Sequence, residues 1–467
     1  MSSSVQFANS YFICNSSEVK LQMALEKTEI LEYQDVPKEL KKQRVRRRIL
    51  KIFPYYQLIA VILVIIGCAS WFALPMMVKH TYISENALMP GQGESKFNNF
   101  DAVNQYYDKL KKNVTLSDAY ALISKDPLHR LYAKHDQYII LRTLSPRGDG
   151  SESILLYTSL KSPWSCALLM AYYHDLQSRN YLAKDVLILI TNNEPKGSWQ
   201  FVQDWYNSDK NIIWQRPGEI QVALGLFIDS NRFDTFNIKF TGHQPRLPNL
   251  DIINTIVRIS QMYNLRTSVH GDMGVGGNSY FDYLRRMLYM VNSLIVGDLN
   301  EYSAHSNFGS VGLDAVTIHC TNLNTTGTLY DGDGGQVHKI HDLQHVIILL
   351  DAMNRAFNNL LEKFHQSFYF YILASHLHYV SIADMAIPIG ILLVSLLLTA
   401  FALWYYSDSG YEYQKYIPRH TSQSRPVFLI LKAVIIPLAV TTVLFGGVSF
   451  VKSLKIVPDN IVNLFLI

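Results

Sequence analysis

The chain has 467 residues, of which 49% are hydrophobic and only 17% charged, with a formal net charge of +4. Soluble domains carry about 25% charged residues, so the balance excludes an ordinary soluble protein and calls for membrane spans. The weak positive charge gives no case for nucleic acid as a partner, and its basic residues are gathered in "KKQRVRRRILK", residues 41–51.

In chain order, residues 1–40 are rich in Ser, Gln and Glu and show no sustained pattern. They read as a tail. Residues 53–78 carry no charge, nor do residues 385–406 or 433–451, the last extended by 427–431 past Lys432. About 20 apolar residues cross a bilayer core as a helix, so three spans are expected. Pro437 is tolerable inside the third, because neighbouring helices re-satisfy the freed carbonyl. The first run starts too far into the chain, and is too long, for a cleaved signal peptide. The basic run before the first span places the N-terminus in the cytosol. The expected organisation is a cytosolic tail with the basic run (1–52), a membrane helix (53–78), an outer domain (79–384), a second membrane helix (385–406), a cytosolic loop (407–426), a third membrane helix (427–451) and a C-terminal tail (452–467).

The outer domain is long enough for a full hydrophobic core. It contains two N-x-S/T acceptors, Asn113 and Asn324, expected to be glycosylated. A third, Asn15, falls on the cytosolic side. Cys166 and Cys320 share the oxidising side, but spacing does not decide whether they pair. A helix is expected over 102–123. "QYIILRT" and "SILLYTS" read as neighbouring strands around the turn "SPRGDG". A helix follows at "CALLMAYYHDLQSRN", a strand at "KDVLILIT", a helix over 197–206, a strand at "IQVALGLFI", a helix over 251–263 and a strand at "LDAVTIHC". A long helix over 336–370 is expected to feed directly into the second span. Strands that are apolar throughout are buried on both faces, as in a parallel sheet covered by helices. The fold class expected is therefore α/β, with a mostly parallel sheet flanked by helices.

Ligands in such sheets bind at the carboxyl ends of the strands. The candidates there are Ser159 and Lys161, residues 191–194 including Asn192, Asn193 and Glu194, residues 229–231 including Asp229, and the loop holding His305. A zinc hydrolase needs imidazole and carboxylate ligands converging at those ends. Lysines next to the candidate positions argue against a dication, so no metal and no cofactor is expected. His338, His341 and His345 have helical spacing but read as a solvated face. "DGDGG" resembles part of a calcium loop without its distal glutamate. Cys166 reads as a buried structural thiol. "GDMGVGG" follows no expected strand, so a dinucleotide reading fails on context.

The segment "TYISENALMP", directly after the first span, resembles a block of the Gaa family, the GPI-anchor attachment subunits of glycosylphosphatidylinositol transamidase. "YLAKDVLILIT", "LPNLDIIN" and "LLEKFHQSFYFYIL" resemble further blocks of that family in the same order. The resemblance implies a lumenal zinc-aminopeptidase-like domain, with one membrane helix before it and two after. In active relatives of that fold a His-x-Asp pair, a helix-opening aspartate and a Glu–Glu pair bind metal. Here the corresponding places read Ser159-x-Lys161, Ser162–Pro163–Trp164 and Asn192–Asn193, with His305 as the remnant of a last histidine. Ser159, Lys161, Asn192, Asn193, Glu194, Asp229 and His305 are thus expected to form a degenerate site with no catalytic residue. The family carries more membrane helices after the outer domain than this sequence shows.

The resemblance further implies a non-catalytic subunit of the transamidase complex in the endoplasmic reticulum membrane. Its partners would be the other subunits, including a cysteine-protease-like catalytic one, and the GPI lipid, which it would help present to the acyl-enzyme intermediate. The rival is a lumenal metallopeptidase-like or amide-forming enzyme acting itself. A polar segment leaving a membrane helix must satisfy its backbone against something. Tyr82, Ser84, Glu85 and Asn86 are therefore expected to dock onto the outer domain.

Overall fold

The computed structural model describes residues 55–88, 95, 97–111, 114–124, 131–134, 136–206, 218–242, 246–271, 279–296, 303–322, 341–360, 364 and 369–408. The expected third span, the cytosolic tail and loop, Asn113, Asn324, His338 and "DGDGG" lie outside these residues. The chain divides into two compact units, Phe72–Ala386 and the remainder.

The larger unit is built on an eight-stranded mixed sheet. Its strands are β2 (Leu131–Lys134), β3 (Tyr138–Thr143), β4 (Glu152–Ser159), β5 (Asp185–Thr191), β6 (Glu219–Ile228), β8 (Thr235–Lys239), β9 (Thr267–Val269) and β10 (Ala315–Thr321). Spatially they run β2-β3-β5-β4-β6-β10-β8-β9. The central four, β5, β4, β6 and β10, are mutually parallel. Antiparallel β3 joins one side and antiparallel β8 the other. Every residue of β5 is buried, which is why an unbroken apolar run is stable there. Two short strands, β7 (Arg232–Phe233) and β11 (His341–Asp342), pair with each other outside this sheet.

Successive side chains of a strand point to opposite faces. On one face Leu155, Tyr157, Leu187 and Leu189 pack against Phe201 and Trp205 of α5 (Glu194–Tyr206) and Phe308 of α8 (Ala304–Ser310). On the other, Leu156, Leu224 and Ile318 meet Leu169 of α4 (Pro163–Gln177) and Val346 and Leu350 of α9 (Leu343–Asn358). The result is a sheet covered by helices on both faces. The remaining α-helices among the described residues of this unit are α2 (Phe100–Leu110), α3 (Leu116–Ser124), α6 (Leu250–Met262) and α7 (Tyr280–Val296).

Several sequence expectations need correction. β3 and β4 are not neighbours, because β5 inserts between them. The helix expected over 102–123 is two helices, α2 and α3. "GDMGVGG" does follow a strand, the three-residue β9. Among the described residues of 336–370, expected to be one long helix, the helix is α9, which ends on the Asn359 C-cap. Two strands then intervene before the second apolar helix: β12 (Tyr371–Ser375) and β13 (His378–Ser381). Aromatic and β-branched residues favour a pleated surface, and "FYFYIL" follows that preference. With β1 (Lys79–His80) these strands form a three-stranded antiparallel sheet in the order β1-β13-β12. β1 pairs with β13 at Lys79–Tyr379 and His80–His378. Beside it the Lys79 ammonium sits 2.7 Å from the Asp384 carboxylate.

The described part of the smaller unit is two apolar helices, α1 (Tyr56–Ala73, to Trp71) and α10 (Ile382–Asp408, from Ile387). Both α1 with its following turn (Leu58–Met76) and α10 (Ile382–Ala402) are long and apolar enough to cross a membrane. They meet at Gly67, where a Cβ would lie 2.7 Å from Leu392. Small residues allow such close helix approach in lipid.

At the amino end of β10, Asp314 is 7% exposed. Burial pushes its carboxyl up to about 6, against the opposing pull of the Arg246 guanidinium, the Asn249 backbone N–H and the Tyr369 phenol. A carboxyl whose folded value is raised loses stability as pH rises through that value and regains it as pH falls toward 4. Asp314→Asn should therefore stabilise the fold by up to about 3 kcal/mol at neutral pH. Thermal midpoints of variant and parent should converge as pH drops to about 4.

Candidate functional site

The carboxyl ends of the central strands open into a cavity of about 520 Å³. Ser159, Lys161, Asn193, Glu194, Asp229 and His305 line it, as do Ser162, Ser303, Lys239, Thr317 and His319. Asn192 is exposed and does not line it. Sequence reasoning missed Lys239, which lies on antiparallel β8, and Thr317 and His319, which lie within parallel β10 and not in the loop beyond its end. Thr317 and His319 were findable: they are two apart on β10, so they share one face.

Each wall is held by a local device. Ser162 precedes Pro163, whose fixed φ suits the first helical position. The Ser162 hydroxyl accepts from the Ile228 N–H at 3.0 Å and donates to the Ile228 carbonyl at 2.9 Å, tying the start of α4 to the end of β6. Glu194 opens α5, and its carboxylate accepts from the Ala304 N–H at 3.1 Å. That N–H belongs to the first turn of α8, where helices have unpaired donors.

Under the cavity, β6 has a glycine where the Tyr157 ring crosses it; a Cβ on Gly225 would stand 2.4 Å from that ring. The ring therefore reaches over β6 to β10, and its hydroxyl lies 2.8 Å from the Thr317 hydroxyl. Thr317 in turn lies 2.7 Å from His305 Nδ1. His305 Nε2 is 2.7 Å from the Thr241 carbonyl, which only accepts, so Nε2 carries a proton. In the neutral imidazole Nδ1 is then the acceptor for the Thr317 hydroxyl, and the Ser303 hydroxyl lies 2.8 Å from Nδ1 and 3.0 Å from Nε2. Burial raises the Tyr157 phenol far above its ordinary value, so it stays neutral. Tyr157, Thr317 and His305 form a buried chain that fixes the imidazole as a structural group.

At the rim, His319 Nε2 meets the Asp229 carboxylate at 2.7 Å. Both are partly exposed, at 27% and 54%. A zinc ion, which the resemblance to aminopeptidases brings into question, does not fit this donor set. Both His305 nitrogens are bonded within the protein, and Lys161 stands in the wall where a dication would be repelled. Among the described residues no group of three or more His, Cys, Asp or Glu is arranged to hold a metal. Cys166 supplies no nucleophile either. Its thiol donates to the Ser159 carbonyl at 3.3 Å and burial pushes it up to about 12. Cys166 and Cys320 are free thiols.

Of the histidines grouped by helical spacing, His341 and His345 do not share a helix face. His341 lies in β11 and is buried, while His345 lies in the first turn of α9 in a capping box with Asp342. A polar turn signal beat the periodicity.

The juxtamembrane segment is bound to the body through its backbone. The N–H groups of Ser84 and Glu85 both donate to Asp251 Oδ2 at 2.9 Å. The Asn254 amide donates to the Tyr82 carbonyl at 2.7 Å. Asp251 opens α6 and Asn249 caps it. The Glu85 and Leu88 side chains are buried, whereas Tyr82 and Asn86 are exposed. "TYISENALMP" and "LPNLDIIN", far apart in sequence, are thus one hydrogen-bonded unit. Asp251 and Asn254, which receive the segment, were not singled out in the sequence.

A mixed sheet covered by helices on both faces, with a polar cavity at the carboxyl edge of its parallel strands, defines an α/β domain. Residues 135–461 match the family described as Gaa1-like, GPI transamidase component. The chain belongs to that family. It is 26% identical over 406 residues to the GPI transamidase component gaa1 of Schizosaccharomyces pombe, covering 76% of this chain and 66% of that protein. It is 25% identical over 366 residues to the GPI transamidase component GAA1 of Saccharomyces cerevisiae, covering 72% of this chain and 55% of that one. The chain therefore spans roughly half to two thirds of the length of these curated relatives. Among solved structures it is similar to the LapA aminopeptidase of Legionella pneumophila (11% identity, 66% of this chain and 75% of that one, TM-score 0.31). It is also similar to the glutaminyl cyclase of Fimbriiglobus ruber (10% identity, 57% and 98%, TM-score 0.34).

Proposed function

We propose that this protein is a non-catalytic subunit of the GPI transamidase complex of the endoplasmic reticulum membrane. Its aminopeptidase-like body faces the lumen and helps present the GPI lipid to an acyl intermediate held on a cysteine-protease-like subunit. The observation that carries the reading is the family match across the body and the second candidate span. The basic run before the first candidate span supports a cytosolic N-terminus. The cavity supports a role other than bond-making, since its buried histidine, His305, is locked in a structural chain and its donors do not fit a metal. Holding an amine near its acceptor converts a bimolecular attack into an effectively unimolecular one. Apolar spans suit the acyl chains of such a lipid, and a polar body suits its glycan.

The test is replacement of the resident relative by the full chain in cells depleted of it. Co-purification with the other transamidase subunits and restored surface GPI-anchored protein are the expected results. The double variant Lys161→Ala/Asp229→Asn should leave the rate of GPI attachment within about twofold, because neither group acts as general acid or base. A loss of about a hundredfold or more with the complex intact, the scale of removing such a group, would establish the rival reading of a lumenal amide-forming or metallopeptidase-like enzyme. One equivalent of bound zinc in the purified complex, held by this chain, would do the same.

A further inference from the structure

We propose that the outer body touches the lipid bilayer a third time, through the first turn of α7, and that this turn sits in the headgroup layer beside the exit of the first span. The inference rests on reading Leu58–Met76 and Ile382–Ala402 as membrane spans.

The body itself contains the ends of both: Phe72 to Met76 at the close of the first and Ile382 to Ala386 at the opening of the second. These ends fix where the bilayer begins on the body's surface. The Tyr280 phenol donates to the Phe72 carbonyl at 2.7 Å. That carbonyl lies in the last turn of α1, where helix acceptors lack partners. Tyr280 therefore caps the first span, although it is far from it in sequence, and α7 also packs on the Leu74–Met76 turn.

Phe281, next to this cap, is 72% exposed, and Met76 is 78% exposed. Phe370 is 67% exposed and immediately precedes the Tyr371–Ser381 pair, the register position beside Ile382, itself 48% exposed. Phe72 and Met77 are exposed as well. Exposed apolar residues scattered singly need no explanation, but a set concentrated in one region does. This one is gathered at the two points where the chain passes into its apolar helices.

The turn is also rigid. Ser279 and Asp282 cap each other, with the Ser279 N–H and hydroxyl donating to Asp282 at 3.1 and 2.6 Å and the Asp282 N–H donating back at 3.3 Å. Behind it, the Arg286 guanidinium is buried and donates to the Ala374 carbonyl of β12 at 3.4 Å. Phe281 is thus held outward at little entropic cost. Tyr280 carries the amphipathic ring that settles at the membrane–water boundary, and Phe281 is of the kind that non-spanning helices bury at that depth. A protein partner is the other possible occupant, but a residue bonded to the exit of a span lies at headgroup level by position.

The experiment places the photo-crosslinker p-benzoylphenylalanine singly at Phe281, Met76 or Met262 of the full chain, in microsomes carrying radiolabelled phospholipid. All three positions are exposed, so folding is not at stake. The expected result is lipid adduct at Phe281 comparable with Met76 and severalfold above Met262, an exposed apolar residue of α6 remote from the spans in sequence. Adduct at Met76 with only the Met262 level at Phe281 leaves the spans standing and overturns the third contact. Adduct at Phe281 to another polypeptide, without lipid, overturns the lipid assignment in favour of a protein partner. Absence of adduct at Met76 sinks the span reading, and this inference with it.

Discussion

Asp251→Ala should release the juxtamembrane segment from the body. One carboxylate oxygen receives the N–H groups of both Ser84 and Glu85. Removing it leaves two donors without their charged acceptor, at a cost of about 3 kcal/mol. Hydrogen exchange at these two amides should quicken about a hundredfold if they open locally. Asp251→Asn keeps one acceptor oxygen but no charge, so its effect should be smaller. The Tyr82 and Asn86 side chains are exposed, and replacing both with alanine should leave these amides protected. If Asp251→Ala exchanged no faster than the parent, the segment would be held by the burial of Leu88 and Glu85 instead.

Asp185→Ala should weaken the whole sheet. Asp185 is 1% exposed and receives the Arg142 guanidinium through Nε at 2.8 Å and Nη2 at 2.6 Å, together with the Ser145 N–H at 2.8 Å. Arg142 lies on antiparallel β3 and Asp185 on β5, so the pair locks the register at the edge of the parallel core. Truncation strands a largely buried guanidinium, which costs about 3–5 kcal/mol. The thermal midpoint should fall accordingly. The paired replacement Arg142→Met/Asp185→Leu should recover most of the loss, since a well-packed apolar pair often matches a buried ion pair. Failure of that rescue would mean that the Ser145 N–H bond carries the effect.

The contrast between these two residues shows what was legible beforehand. Asp185 lies in a block that marked itself, "AKDVLILIT", because an uninterrupted apolar run can only be a strand buried on both faces. The same logic revealed β4, β6 and β10, and with them the strand ends carrying Ser159, Lys161, Glu194 and Asp229. Asp251 was hidden because its role is to accept bonds from backbone more than a hundred residues away, and no local pattern encodes a distant partner. Strand order was equally hidden: β5 enters between β3 and β4 although those two follow one another in sequence. Lys239 escaped because β8 is a short antiparallel strand with only five residues to show its period. His305 was visible as a residue, but its bonding to the Thr241 carbonyl and Thr317 was not. The difference between a ligand and a structural imidazole lies wholly in those contacts.

The pairing of β1 with β13 has a consequence for the ancestry and handling of the body. The polypeptide leaves it beside the point where it came in, at Lys79 and Tyr379. A module whose two ends adjoin behaves as an insertion into the connection of a helical hairpin, the arrangement that tolerates grafting and circular permutation. Cut free at those two strands, it could be closed into a ring by a short Gly-Ser bridge without unpairing them.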